Sequence, residues 1–197
     1  MEKLDASYWT KRYENEQTGW DTSGITTPLK EYFDQLTDKS LQILVPGAGN
    51  AYEAGYLWEN GFQNVHVLDW AKPPLERFAR QYPDFPDSQL LTADFFELNG
   101  QFDLIVEQTF FCAFERNRRE EYVSKAYDLL AEGGKLVGLL WDGDFQGGPP
   151  FGGSRDEYNR LFANHFDIEI MELAYNSIKP RAGREVFIKM IRKSAAG

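Results

Sequence analysis

Five short apolar runs, LQILV (41–45), NVHVLD (64–69), SQLLTAD (88–94), FDLIVEQ (102–108) and GKLVGLLW (134–141), are separated by stretches with helical periodicity. This alternation constrains the fold more than any other feature. Near-continuous aliphatic runs suit strands covered on both faces, and an intervening helix returns the chain to begin a parallel neighbour. Helices are expected near 50–60, 72–82 and 118–131. In the last of these Tyr122, Val123, Ala126, Tyr127 and Leu130 form an apolar stripe, and Gly133-Gly134 is expected to stop it. After the fifth run, SRDEYNRLFANHF reads as a helix, and FDIEIMEL and REVFIKMIRK read as two strands in succession. The expectation is an α/β, Rossmann-like, doubly wound sheet of seven strands, mostly parallel, with helices on both faces. An antiparallel C-terminal hairpin closes one edge, a feature most dinucleotide-binding folds lack.

Two helices precede the first strand. DASYWTKRYENE offers capping candidates Asp5 and Ser7 and sets Trp9 and Tyr13 on one face. TTPLKEYFDQL places Thr27 as N-cap and Pro28 at the first helical position, with Leu29, Phe33 and Leu36 as the buried stripe. A loop with Gly19, Trp20 and Gly24 joins them.

A chain of 197 residues is long enough for one domain with a sizeable core. No apolar run approaches the roughly 20 residues of a membrane span, and MEKLDASYWTKRYENE is too polar for a secretory signal. A cytoplasmic protein is expected. The net charge of −10, from 21 basic and 31 acidic side chains, repels phosphate backbones and argues against a nucleic-acid partner. Cys112 is the only cysteine, so no internal disulfide can form. His66 and His165 are the only histidines, and neither has a second ligand at metal-binding spacing, so no metal is expected. No G-x-S-x-G elbow is present for a serine nucleophile. Oligomeric state is left open.

The first strand runs into PGAGN, at the carboxyl end of the sheet where ligands sit in open parallel folds. Gly47 and Gly49 let a ligand approach the backbone closely. Asp69 ends the second strand, 22 residues after Gly47, where a carboxylate can accept hydrogen bonds from both ribose hydroxyls of an adenosine. Trp70 follows it. Asp94 ends the third strand, at a position suited to an adenine amino group, with Phe95 available to stack. A dinucleotide is a poor fit. The third glycine of its fingerprint is replaced by Tyr52, and Glu53 puts a carboxylate where a pyrophosphate needs the helix N-terminus. S-adenosyl-L-methionine carries no phosphate, and its ammonium and sulfonium are cationic, so the turn is read as holding its methionine end.

YWTKRYENEQTGWD, LVPGAGNAYEAGYL, FDLIVEQTFFCA and GGPPF together resemble the thiopurine S-methyltransferase superfamily of class I methyltransferases, and within it the halide and thiol methyltransferases. The resemblance covers nearly the whole chain. It implies a single methyltransferase domain over 1–197, with 1–38 as an N-terminal cover over the cofactor. It also implies that Trp9 and Trp20 belong to that cover. Tyr13, where those enzymes often have a third tryptophan, can serve the cover or the core. Aromatic faces attract a sulfonium, and a lid excludes competing water. Gly47, Asp69, Asp94 and Phe95 match the family's cofactor positions, and Gln108 stands where halide and thiol members often carry a tyrosine, close to the transferred methyl. Arg119 matches an arginine linked to substrate binding in the thiopurine enzymes, and reads otherwise as an exposed arginine at a helix start. Trp141 and Asp142, at the end of the fifth strand, face the same rim, with Trp141 on the substrate side. Cys112, in an apolar setting, reads as inert packing.

The expected activity is therefore methyl transfer from S-adenosyl-L-methionine to a small soft nucleophile, a thiol, thiopurine-like compound or halide, by in-line displacement. Such a reaction needs alignment and exclusion of water more than a base. A thiol with a pKa of about 8.5 is partly ionised at neutral pH, and a halide needs no deprotonation. No residue is assigned as catalytic. Alternatives are an O- or N-methyltransferase of a small molecule, with Glu107 or Asp142 as candidate bases, or a non-catalytic binder of the same cofactor.

Overall fold

The computed structural model describes residues 3–194. The first two residues of the expected 1–38 cover and the last three of the expected domain thus lie outside the described residues. Seven strands form one sheet: β1 (Ile43–Pro46), β2 (Val65–Asp69), β3 (Leu90–Thr92), β4 (Phe102–Gln108), β5 (Leu130–Trp141), β6 (Phe166–Leu173) and β7 (Glu185–Arg192). Their order is β3-β2-β1-β4-β5-β7-β6. The first five pair in parallel, and β7 runs antiparallel to both β5 and β6. The last strand of the chain is thus inserted inside the sheet, and β6 forms the edge.

The side-chain alternation of the strands divides the core between the two sheet faces. Ile43, Val45, Val65, Val67, Leu104 and Val106 pack with helices α2 (Thr27–Phe33), α3 (Tyr52–Glu59) and α4 (Lys72–Gln81) through Leu29, Phe33, Leu57, Leu75 and Phe78. Leu44, Leu68, Ile105, Leu136, Ile188 and Met190 face α5 (Arg119–Leu129) and α6 (Arg155–Phe162), which supply Tyr122, Val123, Ala126, Leu129, Tyr158 and Phe162. Among the described residues no helix is long and apolar enough to cross a membrane.

Two local expectations are corrected. Gly133-Gly134 does not end the preceding helix: α5 stops at Leu129, and Leu130 already pairs with Phe102 as the first residue of β5. The glycines lie inside the strand beside a register shift, where a Cβ at Gly134 would crowd backbone atoms of Phe102 and Ala131. Likewise the N-cap of α2 is Thr26, not Thr27. The Thr26 side chain makes no capping bond. It is fully buried, with its hydroxyl 3.5 Å from Gln108 Oε1 at the end of β4.

Candidate active site

The carboxyl ends of β1, β2, β3, β4 and β5 open into a cavity of about 520 Å³ roofed by helix α1 (Ala6–Glu14) and the segment after it. Asp5 caps α1 by accepting from the N–H groups of Ser7 and Tyr8. The helix thereby directs Trp9 and Tyr13 downward, and their rings meet Trp20 edge-on at 5.5 and 5.7 Å. Three attachments hold this roof to the glycine turn, the start of α3 and the turn before β7. Asp21 accepts from Asn50 Nδ2 and the Tyr52 hydroxyl. The Trp20 carbonyl accepts from Arg181 at 2.8 Å. Tyr13 is buried, its hydroxyl within 3.1 Å of where a Cβ at Gly49 would lie, and burial pushes its pKa far up. Tyr52, at the position where a dinucleotide site needs glycine, therefore bonds the roof.

Gly47 and Gly49 both adopt positive φ, 57° and 54°, which bends the backbone sharply after β1. A side chain at Gly47 would overlap the Phe110 ring, so this glycine admits an aromatic residue of the β4 side as well as a ligand. Asp69 is 6% exposed; its two carboxylate oxygens accept from Gly49 N–H at 3.0 Å and Ala71 N–H at 2.8 Å. Each oxygen keeps a further lone pair for a ligand donor. Burial raises its pKa to about 6 against the opposing pull of these N–H donors. Asp94 caps the 3₁₀ turn Phe95–Glu97 through Phe96 N–H at 2.9 Å. Phe95 lines the cavity but is largely committed to the core, stacked on Tyr122.

Of the residues singled out from sequence, Trp9, Tyr13, Trp20, Gly47, Gly49, Asp69, Trp70, Asp94, Phe95, Gln108 and Trp141 all line this one cavity. Arg119 does not. It is 2% exposed and turned into the interior, which corrects the reading of an exposed helix-start arginine. Its guanidinium lies over Phe111, pairs with Glu157 of α6 and donates to the carbonyls of Phe151 and Gly152 at 3.0 and 2.9 Å. Arg119 thus pins the loop 142–153, whose Pro149 and Pro150 form a wall of the cavity. Paired bonds between Gly143 and Gly153 and a bond from Phe151 N–H to the Cys112 carbonyl hold the same loop.

The two candidate bases are committed elsewhere. Glu107 is buried off the cavity wall and accepts from Phe110 N–H, Phe111 N–H and the Tyr122 hydroxyl, so it shapes the turn after β4. Its burial raises its pKa to about 7. Asp142 pairs with Arg155 at 3.6 Å. Cys112 lines the cavity but burial pushes its thiol up to about 12, so it remains protonated at neutral pH. Gln108 presents an amide Nε2 with no hydrogen-bond partner among the described residues.

Sequence reasoning missed Arg181. It lines the cavity, pairs with buried Glu185 at 3.1 Å and lies over the Trp141 ring. Its only signal was an arginine four residues before a glutamate at a strand start. Phe110, inside FDLIVEQTFFCA, and Phe114, just after it, are also in the wall, but the sequence gave no sign of which way they turn.

Tested against this geometry, an adenosyl ligand with a cationic amino-acid end fits. It would meet a buried carboxylate at the end of β2, a half-buried one just after β3, backbone bared by two glycines and an aromatic roof. The model for the family "Thiopurine S-methyltransferase (TPMT)" matches residues 4–194. The chain is 30% identical over 193 residues to "Probable thiol methyltransferase 2" of Arabidopsis thaliana, covering 94% of this chain and 84% of that protein. It is 31% identical to "Thiocyanate methyltransferase 1" of Brassica oleracea over 93% and 84% of the two chains. In fold it is similar to 1,6-didemethyltoxoflavin-N1-methyltransferase of Burkholderia thailandensis, solved with S-adenosylhomocysteine (TM-score 0.77, 17% identity, 96% and 87% covered).

Proposed function

The chain belongs to the thiopurine S-methyltransferase family and is an S-adenosyl-L-methionine-dependent methyltransferase, and from that premise we propose that it methylates a small soft nucleophile, a thiol or thiopurine-like compound first and a halide second, by in-line displacement. The observation that carries this reading is the state of the acceptor end of the cavity. Gln108, Phe110, Phe114, Trp141, Pro149 and Pro150 line it, while Glu107, at the end of β4, is held by three structural hydrogen bonds and Asp142, after β5, lies off the cavity wall beside Arg155 at 3.6 Å. An aromatic acceptor end whose lining carries no carboxylate suits a nucleophile that is already anionic or ionises easily. The Arabidopsis and Brassica relatives, by name a thiol and a thiocyanate methyltransferase, support the same class.

The cofactor supplies an electrophilic methyl group on a sulfonium. Gly47, Gly49, Asp69, Trp70, Asp94 and Phe95 would hold it, with Asp69 accepting from the ribose hydroxyls. Trp9, Tyr13 and Trp20, within the cover assigned to 1–38, face it from above and exclude water. Gln108 Nε2 offers a donor to a lone pair of the acceptor, and Trp141 shapes the acceptor's side of the chamber.

The test is turnover to S-adenosylhomocysteine with a panel of alkyl and aryl thiols, a thiopurine, iodide, a catechol and a primary amine. Thiols turning over with the highest kcat/KM is the expected outcome. Turnover confined to the catechol or the amine would transfer the protein to the O- or N-methyltransferases, and binding without any turnover would make it a sensor.

A further inference from the structure

Six charged side chains of the described residues are buried: Glu53, Asp69, Glu107, Arg119, Arg181 and Glu185. Five are matched. Arg119 pairs with Glu157 and Arg181 with Glu185, while Asp69 and Glu107 each accept from at least two protein donors. Glu53 is the exception. It stands in the first turn of α3, immediately after the glycine turn, 4% exposed and lining the cavity beside Gly49 and Asp69. Among the described residues it has no ion-pair partner, and its only hydrogen-bonding neighbour is its own backbone N–H. Arg181, whose charge acts on it, is already neutralised by Glu185 at 3.1 Å and donates to the Trp20 carbonyl. A buried carboxylate with no partner is costly, and the N-terminus of α3 offsets only part of that cost.

We propose that Glu53 receives the ammonium group of the cofactor's methionine end, so that the ligand brings the cation that completes this half-made ion pair. The inference rests on the cofactor reading above. Burial raises the Glu53 pKa to about 7 while the carboxylate is unpaired, so pairing with an ammonium would release a proton from the fraction of molecules in which it is protonated.

Two calorimetric measurements test it. The first compares wild type with Glu53→Gln for three ligands: S-adenosylhomocysteine, S-adenosylmethionine and the deaminated analogue 4-(5′-adenosylthio)butyrate. The first two should bind the variant about tenfold or more weakly, and the deaminated analogue equally to both proteins. Equal affinities throughout, or an equal loss for all three, would overturn the assignment. Loss confined to S-adenosylmethionine would overturn it too, by giving Glu53 to the sulfonium. No binding of any ligand to wild type would fail the cofactor reading itself. The second measurement needs no variant. At pH 6.5, in two buffers of different ionisation enthalpy, S-adenosylhomocysteine should release more protons from wild type than the deaminated analogue does. Arg181, Asp69 and Tyr13 share the cavity with Glu53. Burial raises Asp69 to about 6, and its proposed contact is with the ribose, which both ligands carry. Equal release by the two ligands would overturn the proposal.

Discussion

At the residue scale the site turns on which carboxylates remain free to meet a ligand. Asp69 ties Gly49 and Ala71 by their N–H groups and keeps lone pairs free, which the proposed ribose contact would use. Asp69→Ala should therefore weaken S-adenosylhomocysteine binding by roughly 30-fold or more, the scale expected for removing a buried acceptor from paired donors. The same residue sets a pH dependence. Its carboxyl is raised to about 6, and only the ionised form accepts two hydroxyl donors. Affinity for the deaminated analogue, which cannot engage Glu53, should be flat above pH 7 and fall as pH drops through 6. An affinity that rises as pH falls to 5.5 would contradict the ribose role. Asp69 and the glycines were legible because a strand end followed by a turn leaves few geometries for the chain. Arg119 was not. ERNRREE looks like a solvated helix start, and only the fold shows that Phe111 and two loop carbonyls receive its guanidinium.

At the element scale the loop 142–153 and the roof are separate walls with separate fastenings. Arg119 fastens the loop from α5, and Glu157 of α6 completes the pair. Arg119→Met should cost about 1.5–3 kcal/mol, the range for losing hydrogen bonds to a charged group where the partner Glu157 stays partly exposed, seen as a fall in Tm and as new protease cleavage within 142–153. It should raise KM for the acceptor while the Kd for S-adenosylhomocysteine stays within about twofold, because no cofactor-side residue touches the loop's anchor. A parallel rise in that Kd would show the loop and cofactor end to be one unit. The roof is reached through Asp5. Asp5→Ala removes the cap of α1 and should cost about 1 kcal/mol, exposing the segment around Trp20 to protease. Elements with a strong period, such as β4 and α4, were placed from sequence to within a residue. The insertion of β7 between β5 and β6 was not legible, since two consecutive amphipathic strands announce an antiparallel pair without saying which of them joins the sheet. Asp5, the cap of α1, was legible, whereas the cap of α2 was misplaced by one residue for a related reason. Thr26 is claimed by Gln108 across 82 residues of sequence, a contact local pattern cannot register.

At the scale of the whole molecule, four buried carboxyls crowd the ligand end of one sheet in a protein of net charge −10, and Glu185 alone of them has an ion-pair partner among the described residues. Burial raises Glu53 and Glu107 to about 7 and Asp69 to about 6, well above their ordinary values. Between about pH 4.5 and 7.5 the folded chain therefore binds more protons than the unfolded one, so stability must rise as pH falls through that window. Loss of negative charge overall acts in the same direction. His66 opposes it, because its burial lowers its pKa and favours the unfolded state once imidazoles protonate below 6.5. One group against three leaves the sign unchanged. The exposed carboxylates held low by Lys30 and Lys189 matter only below this window. In thermal denaturation without ligand, Tm at pH 5.5 should exceed Tm at pH 7.5. Saturating S-adenosylhomocysteine should raise Tm more at pH 7.5 than at pH 5.5, because it binds the ionised forms of Asp69 and Glu53 that acid removes. A Tm that falls steadily from pH 7.5 to 5.5 would mean that these carboxyls are already ionised and partnered in the folded protein. The same strain would then be absent from the site, and with it the reason for a cationic ligand to be drawn there.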